Sequence, residues 1–436
     1  MTLENFPTTR PSFTANFARS QQMPPQVTFS RASQATSPAV PSPGTVTGPN
    51  GTFLSDYNTP RFAWKDGKCQ GLLIEEARTN NITNSAVFSS GYGVSNVAAT
   101  DNTATAPDGT TTAASLMETG GAGFHNFYRP EITSGAAGDY AQSIFVKDNG
   151  RAYVNLRWLS NSVSNCWHTV TFALIGDGAV TQEQSGSGAN FTNISRSIEH
   201  IGNGWYRITL GASNPNAQIY PWILDGSDSP TPTLNSLYGV ASYTGDTAKG
   251  YYIWGGQWEE GLFATSLIPT SGATATRAQD VCTITGTNFS SWYNLSGGTI
   301  VSSFYPYNKG KAYTLHNGST NQRIILDTTD AGTGITNGVA NYAAANPGGT
   351  AARVGVVDPN TQRTIKNAFR VEANNHGAAN NGSLATGSVA APAPSVTTMQ
   401  FFTDQTGTTN LMNGYLHNWS YYPTQASNDT LEALTQ

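Results

Sequence analysis

Two glutamate pairs, a set of tryptophans and tyrosines, two short aspartate motifs and six histidines are the side chains here whose types could do chemistry. Glycoside hydrolysis needs two carboxylates flanking the scissile bond, and Glu75-Glu76 and Glu259-Glu260 are the adjacent pairs on offer. Both adjoin apolar runs and lie near a basic residue, Arg78 and Arg277 respectively. One reading is a catalytic dyad. The other is structural charge pairing by Glu75, Arg78, Glu259 and Arg277 that fixes strand register, because an unpaired buried charge is costly. Charge pairing is the expectation. Exposed aromatic rings stack on sugar faces, and Trp158, Trp167, Tyr220 and Trp222 fall at strand ends or in loops where they could do so. Against this, tryptophan in a sandwich also serves as core.

Asp225-Gly-Ser-Asp228 and Asp327-Thr-Thr-Asp330 could offer oxygen ligands to calcium, but each is short, unaccompanied and equally a turn. The histidines (125, 168, 200, 316, 376, 417) are scattered and form no local zinc cluster. Nucleophile-elbow, phosphate-loop and zinc-protease signatures are absent from the sequence. No catalytic residue, metal or cofactor is therefore expected.

These side chains need elements to position them, and composition says which kind. The chain has 436 residues, with 11% charged, 11% aromatic, 45 glycines and 22 prolines. Ordinary domains carry roughly 25% charge, and surface helices draw their solvent faces from it. So little charge with so many turn formers and aromatics points to short strands and turns. A net charge of −5 with no basic cluster argues against nucleic acid. The three cysteines, Cys69, Cys166 and Cys282, lack metal or redox spacing and fit unpaired thiols. No apolar run approaches the roughly 18 residues needed to cross a membrane, and residues 1–26 hold no signal-peptide core.

Period-two patterns predict strands over residues 27–31, 71–75, 143–147, 153–159, 167–175 and 250–258. Residues 197–201 and 205–210 flank Gly202-Asn203-Gly204, a hairpin connection suited to positive φ. A second block runs from 297–305 to 414–422 through 312–316, 323–327, 353–357, 369–372 and 398–403. Residues 373–394 read as a long loop. Residues 427–434 read as a helix, with Asp429 and Glu432 at capping-box spacing. The two blocks close alike, at 250–254 and 414–419, which suggests two related sandwiches in tandem. The resulting division is an arm (1–26), a first sandwich with a proline-rich entry (27–283) and a second sandwich (284–436).

Several phrases in fixed order carry a resemblance. They are Arg10-Pro-Ser-Phe13, Asn16-Phe-Ala-Arg-Ser20, Val27-Thr-Phe-Ser-Arg-Ala-Ser33 and Thr59-Pro-Arg-Phe62, then Gly71-Leu-Leu-Ile-Glu-Glu-Ala-Arg-Thr-Asn80 and Ala106-Pro-Asp-Gly109. Gly202-Asn-Gly-Trp-Tyr-Arg207, Tyr252-Ile-Trp-Gly-Gly-Gln-Trp-Glu-Glu-Gly261, Ile268-Pro-Thr270 and Ala275-Thr-Arg277 follow. Together they resemble the tail-fibre and head-fibre appendage proteins of tailed bacteriophages, which carry concanavalin/laminin-G-like domains. That resemblance implies an all-β fold of two tandem jelly-roll sandwiches with an extended arm and a short C-terminal helix. It implies a non-enzymatic virion component assembled in the host cytoplasm as a homotrimer. The arm would dock on other virion proteins, and the sandwiches would contact host-surface polysaccharide. A head-decorating protein that binds no sugar and a polysaccharide-degrading spike are the alternatives. Trp258 stands where the family often has leucine.

Overall fold

A computed structural model describes residues 9–36, 54–55, 57–65, 68–128, 137–160, 163–189, 191–214, 219–320, 322–328, 339–345, 351–356, 364–387 and 394–436. The protein is all-β, and its strands form antiparallel sandwiches in two units. The terminal unit comprises residues 1–34, 55–77 and 278–436, and the inserted unit comprises 35–54 and 78–277.

In the terminal unit one sheet runs, in spatial order, Ser383–Gly387, His376–Asn380, Ile365–Val371, Gly298–Pro306, Gly414–Tyr422, Lys68–Ile74 and Arg61–Lys65. Phe13–Ala15 also pairs with Gly414–Tyr422. The facing sheet runs Thr28–Ser30, Val281–Thr285, Thr398–Phe401, Lys311–His316, Gln322–Asp327, Val339–Ala345 and Ala351–Val356. Trp419, fully buried, centres the core between them, with Phe13, Trp292, Tyr313 and Phe401 ringed around it at 5.6–6.2 Å.

This arrangement revises the division drawn from the sequence. Residues 9–26 are built into the terminal sandwich, because Phe13, Ala15 and Phe17 are all buried in its core and Phe13 stacks on Trp292 at 5.1 Å. Residues 27–34, 55–77 and 278–283, expected in the first sandwich, belong to the terminal unit as well. The cause is long-range pairing, Thr28–Ser30 with Val281–Thr285 and Lys68–Ile74 with Gly414–Tyr422, which no local pattern reveals. Within the expected loop at 373–394 the chain instead forms the hairpin of His376–Asn380 and Ser383–Gly387. Its short Gly/Ala/Asn strands lack an apolar alternation. The closing helix, Asn428–Ala433, is capped by Ser427, whose side chain accepts from the Thr430 amide, and not by the expected Asp429.

Four charges interlock the non-contiguous pieces of the terminal unit. Asp280 accepts from Arg31 (3.1 Å) and Arg61 (2.5 Å), and Arg61 also reaches Glu75 at 2.9 Å, every side chain being at most 1% exposed. The Glu75 amide donates to Asp280 as well, at 3.0 Å. A buried carboxylate is tolerable only when so saturated.

The inserted unit has one sheet ordered Thr192–Gly202, Trp205–Asn214, Gly138–Asn149, Gly250–Glu260, Ala113–Glu118 and Val97–Ala104. The other runs Ala179–Ser185, Trp167–Ala173, Tyr153–Ser160, Ile219–Ser227, Asn126–Tyr128 and Gly93–Ser95. The chain crosses between the two sheets several times, as from Asn126–Tyr128 to Gly138–Asn149 and back to Tyr153–Ser160. The expected hairpin is present, with Asn203 and Gly204 at φ 53° and 74°. Trp258 is core, stacked on Tyr140 at 5.3 Å and edge-on to Trp158 at 5.4 Å. Cys166 and Cys282 are buried free thiols and Cys69 is half-buried. Among the described residues no helix is long and apolar enough to cross a membrane.

Two outcomes follow. Replacing Asp280 by alanine removes the carboxylate of buried Arg31 and one of the two carboxylates of Arg61, and should cost about 3–5 kcal/mol, read as a lowered urea midpoint for the terminal unit. Deleting residues 1–26 should lower the same midpoint, because it removes an edge strand and two core phenylalanines; an unchanged melt would contradict their packing.

Candidate functional site

The four aromatic candidates converge on three neighbouring strands of one sheet in the inserted unit. Across these strands Trp158 is in register with His168, Leu159 with Trp167 and Tyr220, and Arg157 with Trp222. Alternation along Tyr153–Ser160 sends Val154, Leu156 and Trp158 into the core. Trp158 is fully buried there, with no ring face open to solvent. The side chains of Tyr220 and Trp222 lie outside the described residues. Trp167 belongs to the opposite face and is also buried, at 5% exposure.

That opposite face is polar. Asn155 and Arg157 on one strand, Thr169 and Thr171 on the next and Asp225 on the third are each at most 1% exposed. Arg157 grips Asp225 with Nε to Oδ2 at 2.5 Å and Nη2 to Oδ1 at 3.2 Å. Burial nonetheless raises the Asp225 carboxyl above its usual range, working against the attraction of Arg157. Asp225 is thus engaged in an ion pair, and Asp327 meets Lys311 at 3.5 Å. Asp330, of the second aspartate motif, lies outside the described residues. Among the described residues no group of three or more His, Cys, Asp or Glu side chains could hold a metal.

The face is hidden by the segment 228–243, anchored through its own carbonyl groups. Trp167 Nε1 donates to Ser236 O at 2.8 Å, Arg157 Nη1 to Tyr238 O at 2.8 Å, and Thr169 Oγ1 to Gly239 O at 2.6 Å. The turn is shaped by Asn235, whose Oδ1 accepts from the amides of Leu237 and Tyr238 at 2.8 and 3.1 Å. Gly239 sits at φ +65°, and a Cβ there would lie 2.2 Å from the Trp167 ring, so only glycine fits. At the tip Leu237 and Tyr238 are about half exposed, 50% and 48%, with Phe124 edge-on to Tyr238 at 6.4 Å. Sequence reasoning passed over Tyr238. Its signal was Asn235-Ser-Leu-Tyr-Gly239, an Asx turn presenting an apolar pair.

Glu118 anchors the far end of the segment. Arg151 binds both its oxygens at 2.8 Å, Tyr243 OH donates at 2.6 Å and the Asp246 amide at 2.8 Å. Burial pushes the Glu118 carboxyl up, but these donors outweigh it and hold the group below its ordinary value. His125 stacks on Tyr243 at 4.2 Å, and burial lowers its pKa.

Of the charge-pairing residues, Glu75 binds Arg61 as described above, whereas the Arg78 guanidinium lies over the Phe263 ring at 5.1 Å. Glu259 accepts from Gln257 Nε2 (2.8 Å) and from the amide and hydroxyl of Thr265 (both 2.7 Å). Arg277 donates to that same Thr265 hydroxyl at 3.0 Å and to Ser266 Oγ at 3.1 Å.

One constellation has the composition of a hydrolytic triad. Ser185 Oγ lies 2.8 Å from His168 Nδ1, and His168 Nε2 lies 3.5 Å from Glu183. Its electrostatics oppose that chemistry. Arg196 takes Glu183 at 2.8 Å, and burial, then Arg196, hold the imidazole near a pKa of about 4. So weak a base draws a serine proton poorly at neutral pH.

No family model matches the chain, and no curated protein matches its sequence. Among solved structures, the CBM40 of a Ruminococcus gnavus IT-sialidase is similar at 19% identity over 32% of this chain and 83% of its own, with a TM-score of 0.28. A leech intramolecular trans-sialidase gives 15% identity over 32% of this chain and 23% of its own, TM-score 0.26. Mouse laminin alpha1 domains LG4-5 give 8% identity over 78% of this chain and 90% of their own, TM-score 0.22.

Buried histidines set a pH limit. His168 and His417 are both held near pKa 4 by burial, against about 6.5 in an unfolded chain. The folded protein keeps them neutral, so their contribution is complete above pH 6.5 and is lost as pH falls toward 4. The thermal midpoint should fall steadily across that window, and His168→Gln should flatten part of the slope. A midpoint constant from pH 7 to 4 would refute the burial of these rings.

Proposed function

We propose that this chain is a non-enzymatic, glycan-binding subunit of a bacteriophage fibre or appendage, active as a homotrimer. The ordered motifs from residue 10 to about 280 support the virion assignment by their resemblance. The observation that carries the glycan reading is Tyr238, an exposed ring on a turn whose backbone is fixed from beneath by Arg157, Thr169 and Trp167. A ring held this way loses little freedom on stacking against a sugar face. The carboxylates support a binding role over a catalytic one. Glu75, Glu118 and Asp225 are consumed by arginines, and Glu259 by threonine and glutamine donors.

Tyr238→Ala should weaken binding to a host-glycan array of capsule, lipopolysaccharide and sialyllactose at least tenfold, which is about 1.4 kcal/mol. The melting temperature should stay the same, since the side chain is half exposed. Unchanged binding would remove Tyr238 from the site. Light scattering behind a sizing column should give three times the monomer mass. Incubation with capsule should release no reducing ends, and release that Glu259→Gln abolishes would turn the reading to an enzyme.

A further inference from the structure

Three side-chain donors rise from one sheet face, and all three end on carbonyls within four consecutive residues, Ser236 to Gly239. Beside them runs a row of polar side chains with unused hydrogen-bonding capacity. Asn155 is in register with Thr171 on one side and Asp225 on the other, and Asp225 with Asn126 beyond it. Among the described residues both amide atoms of Asn155, Oγ1 of Thr171 and Oδ1 of Asn126 have no partner, although these residues are 0%, 1% and 5% exposed. An orphaned buried polar group forfeits its hydrogen bonds to water without replacement, which is destabilising, and native folds hold few. Three residues in one row across adjacent strands is a pattern suited to a polar ligand.

We propose that this row, with Arg157, Thr169 and Trp167, is the floor of a saccharide site, and that the segment 228–243 is its lid. The inference rests on the glycan reading above and adds the site's floor, its gate and its ligand class. In the closed state the lid carbonyls of Ser236, Tyr238 and Gly239 occupy the positions that sugar hydroxyl oxygens take in the open one. Each of the three donors exchanges one oxygen acceptor for another. Lifting the turn also uncovers the Trp167 ring, which now packs under Gly239. The lid is tethered at both ends, by Ser227 Oγ donating to Ser229 O at 2.7 Å and by Glu118 holding Tyr243 and Asp246. It therefore swings without leaving. Because Arg157 already neutralises Asp225, the floor carries no net charge, and the ligand is a neutral pyranose unit that uses its hydroxyls.

The test combines a ligand-free measurement with a binding one. Thr169→Cys places a thiol beneath the lid, and Cys166, fully buried in the same unit, serves as reference. The new thiol should react with a disulfide reagent at least about tenfold faster than Cys166, and Gly239→Ala should accelerate it further by pushing the turn off Trp167. Reaction at the Cys166 rate means opening by global unfolding alone and overturns the lid. Binding is then measured by calorimetry with neutral tetrasaccharides of glucose, mannose and N-acetylglucosamine. Gly239→Ala should bind about five- to tenfold more tightly than wild type. Asn155→Leu should abolish binding while melting at or above the wild-type temperature, since it removes an orphaned amide. If wild type binds but neither variant changes affinity, the floor is wrong and the glycan reading stands at Tyr238. If no tetrasaccharide binds even Gly239→Ala, the neutral-sugar floor is overturned; binding of another glycan by wild type would leave the broader reading intact, and binding of none would end both.

Discussion

Arg157 and Asp225 are buried together on a sheet face in a chain that has only 11% charged residues. Removing either charge from water costs several kcal/mol before their attraction is counted, so the pair persists only with its remaining valences used. Asp225 takes two bonds from the guanidinium, and the free Nη1 of Arg157 goes to the Tyr238 carbonyl. That last bond is what fixes the covering turn. Thr169 and Trp167 repeat it on either side. The exposed tip, the glycine that lets the turn approach the indole and the concealment of the sheet face all depend on this one buried ion pair.

The terminal unit uses the same device for another purpose. Asp280 gathers Arg31 and Arg61, and Arg61 in turn takes Glu75, from three stretches of chain far apart in sequence. In a sandwich with little charge, each buried carboxylate acts as a clasp between non-contiguous strands. This has a consequence for function. A carboxylate whose oxygens are taken by arginine is a poor nucleophile, because its lone pairs are occupied. Glu118 shows this most clearly, with four hydrogen bonds on two oxygens.

Strand identity was legible in the sequence because alternation is local. Residues 153–159 and 167–175 declared their two faces through Val154, Leu156 and Trp158 against Asn155 and Arg157. The division into units was not, since it depends on Lys68–Ile74 pairing with Gly414–Tyr422, more than three hundred residues away. Nor was the fate of residues 9–26, whose Phe13 and Phe17 find their core only once the closing strand is in place. The four aromatic candidates fall on three neighbouring strands of one sheet, but type and spacing did not show which rings face solvent. Trp158 alternates inward, and the exposed ring belongs to Tyr238, in a stretch with no periodicity to read. The pairing of Glu75 with Arg61 was illegible for the same reason, since it is made across the hairpin of Arg61–Lys65 and Lys68–Ile74.

A cover held by side-chain donors differs physically from one held by apolar packing. Hydrophobic burial is non-directional and scales with area, so a lid sealed that way loses free energy with every part uncovered. A lid sealed by hydrogen bonds to its carbonyls loses little if the donors find other acceptors, because a net bond is worth only about 0.5–1.5 kcal/mol. Ser236 and Gly239 bring almost no apolar area to the sheet, and Leu237 and Tyr238 turn theirs outward. The covering turn thus contributes acceptors more than it contributes core. A polar floor on strands, rigid and with its spacing set by the ladder, beneath a turn, Ser236–Gly239, attached through exchangeable bonds, is an arrangement in which a polyhydroxyl ring can compete with the protein's own backbone.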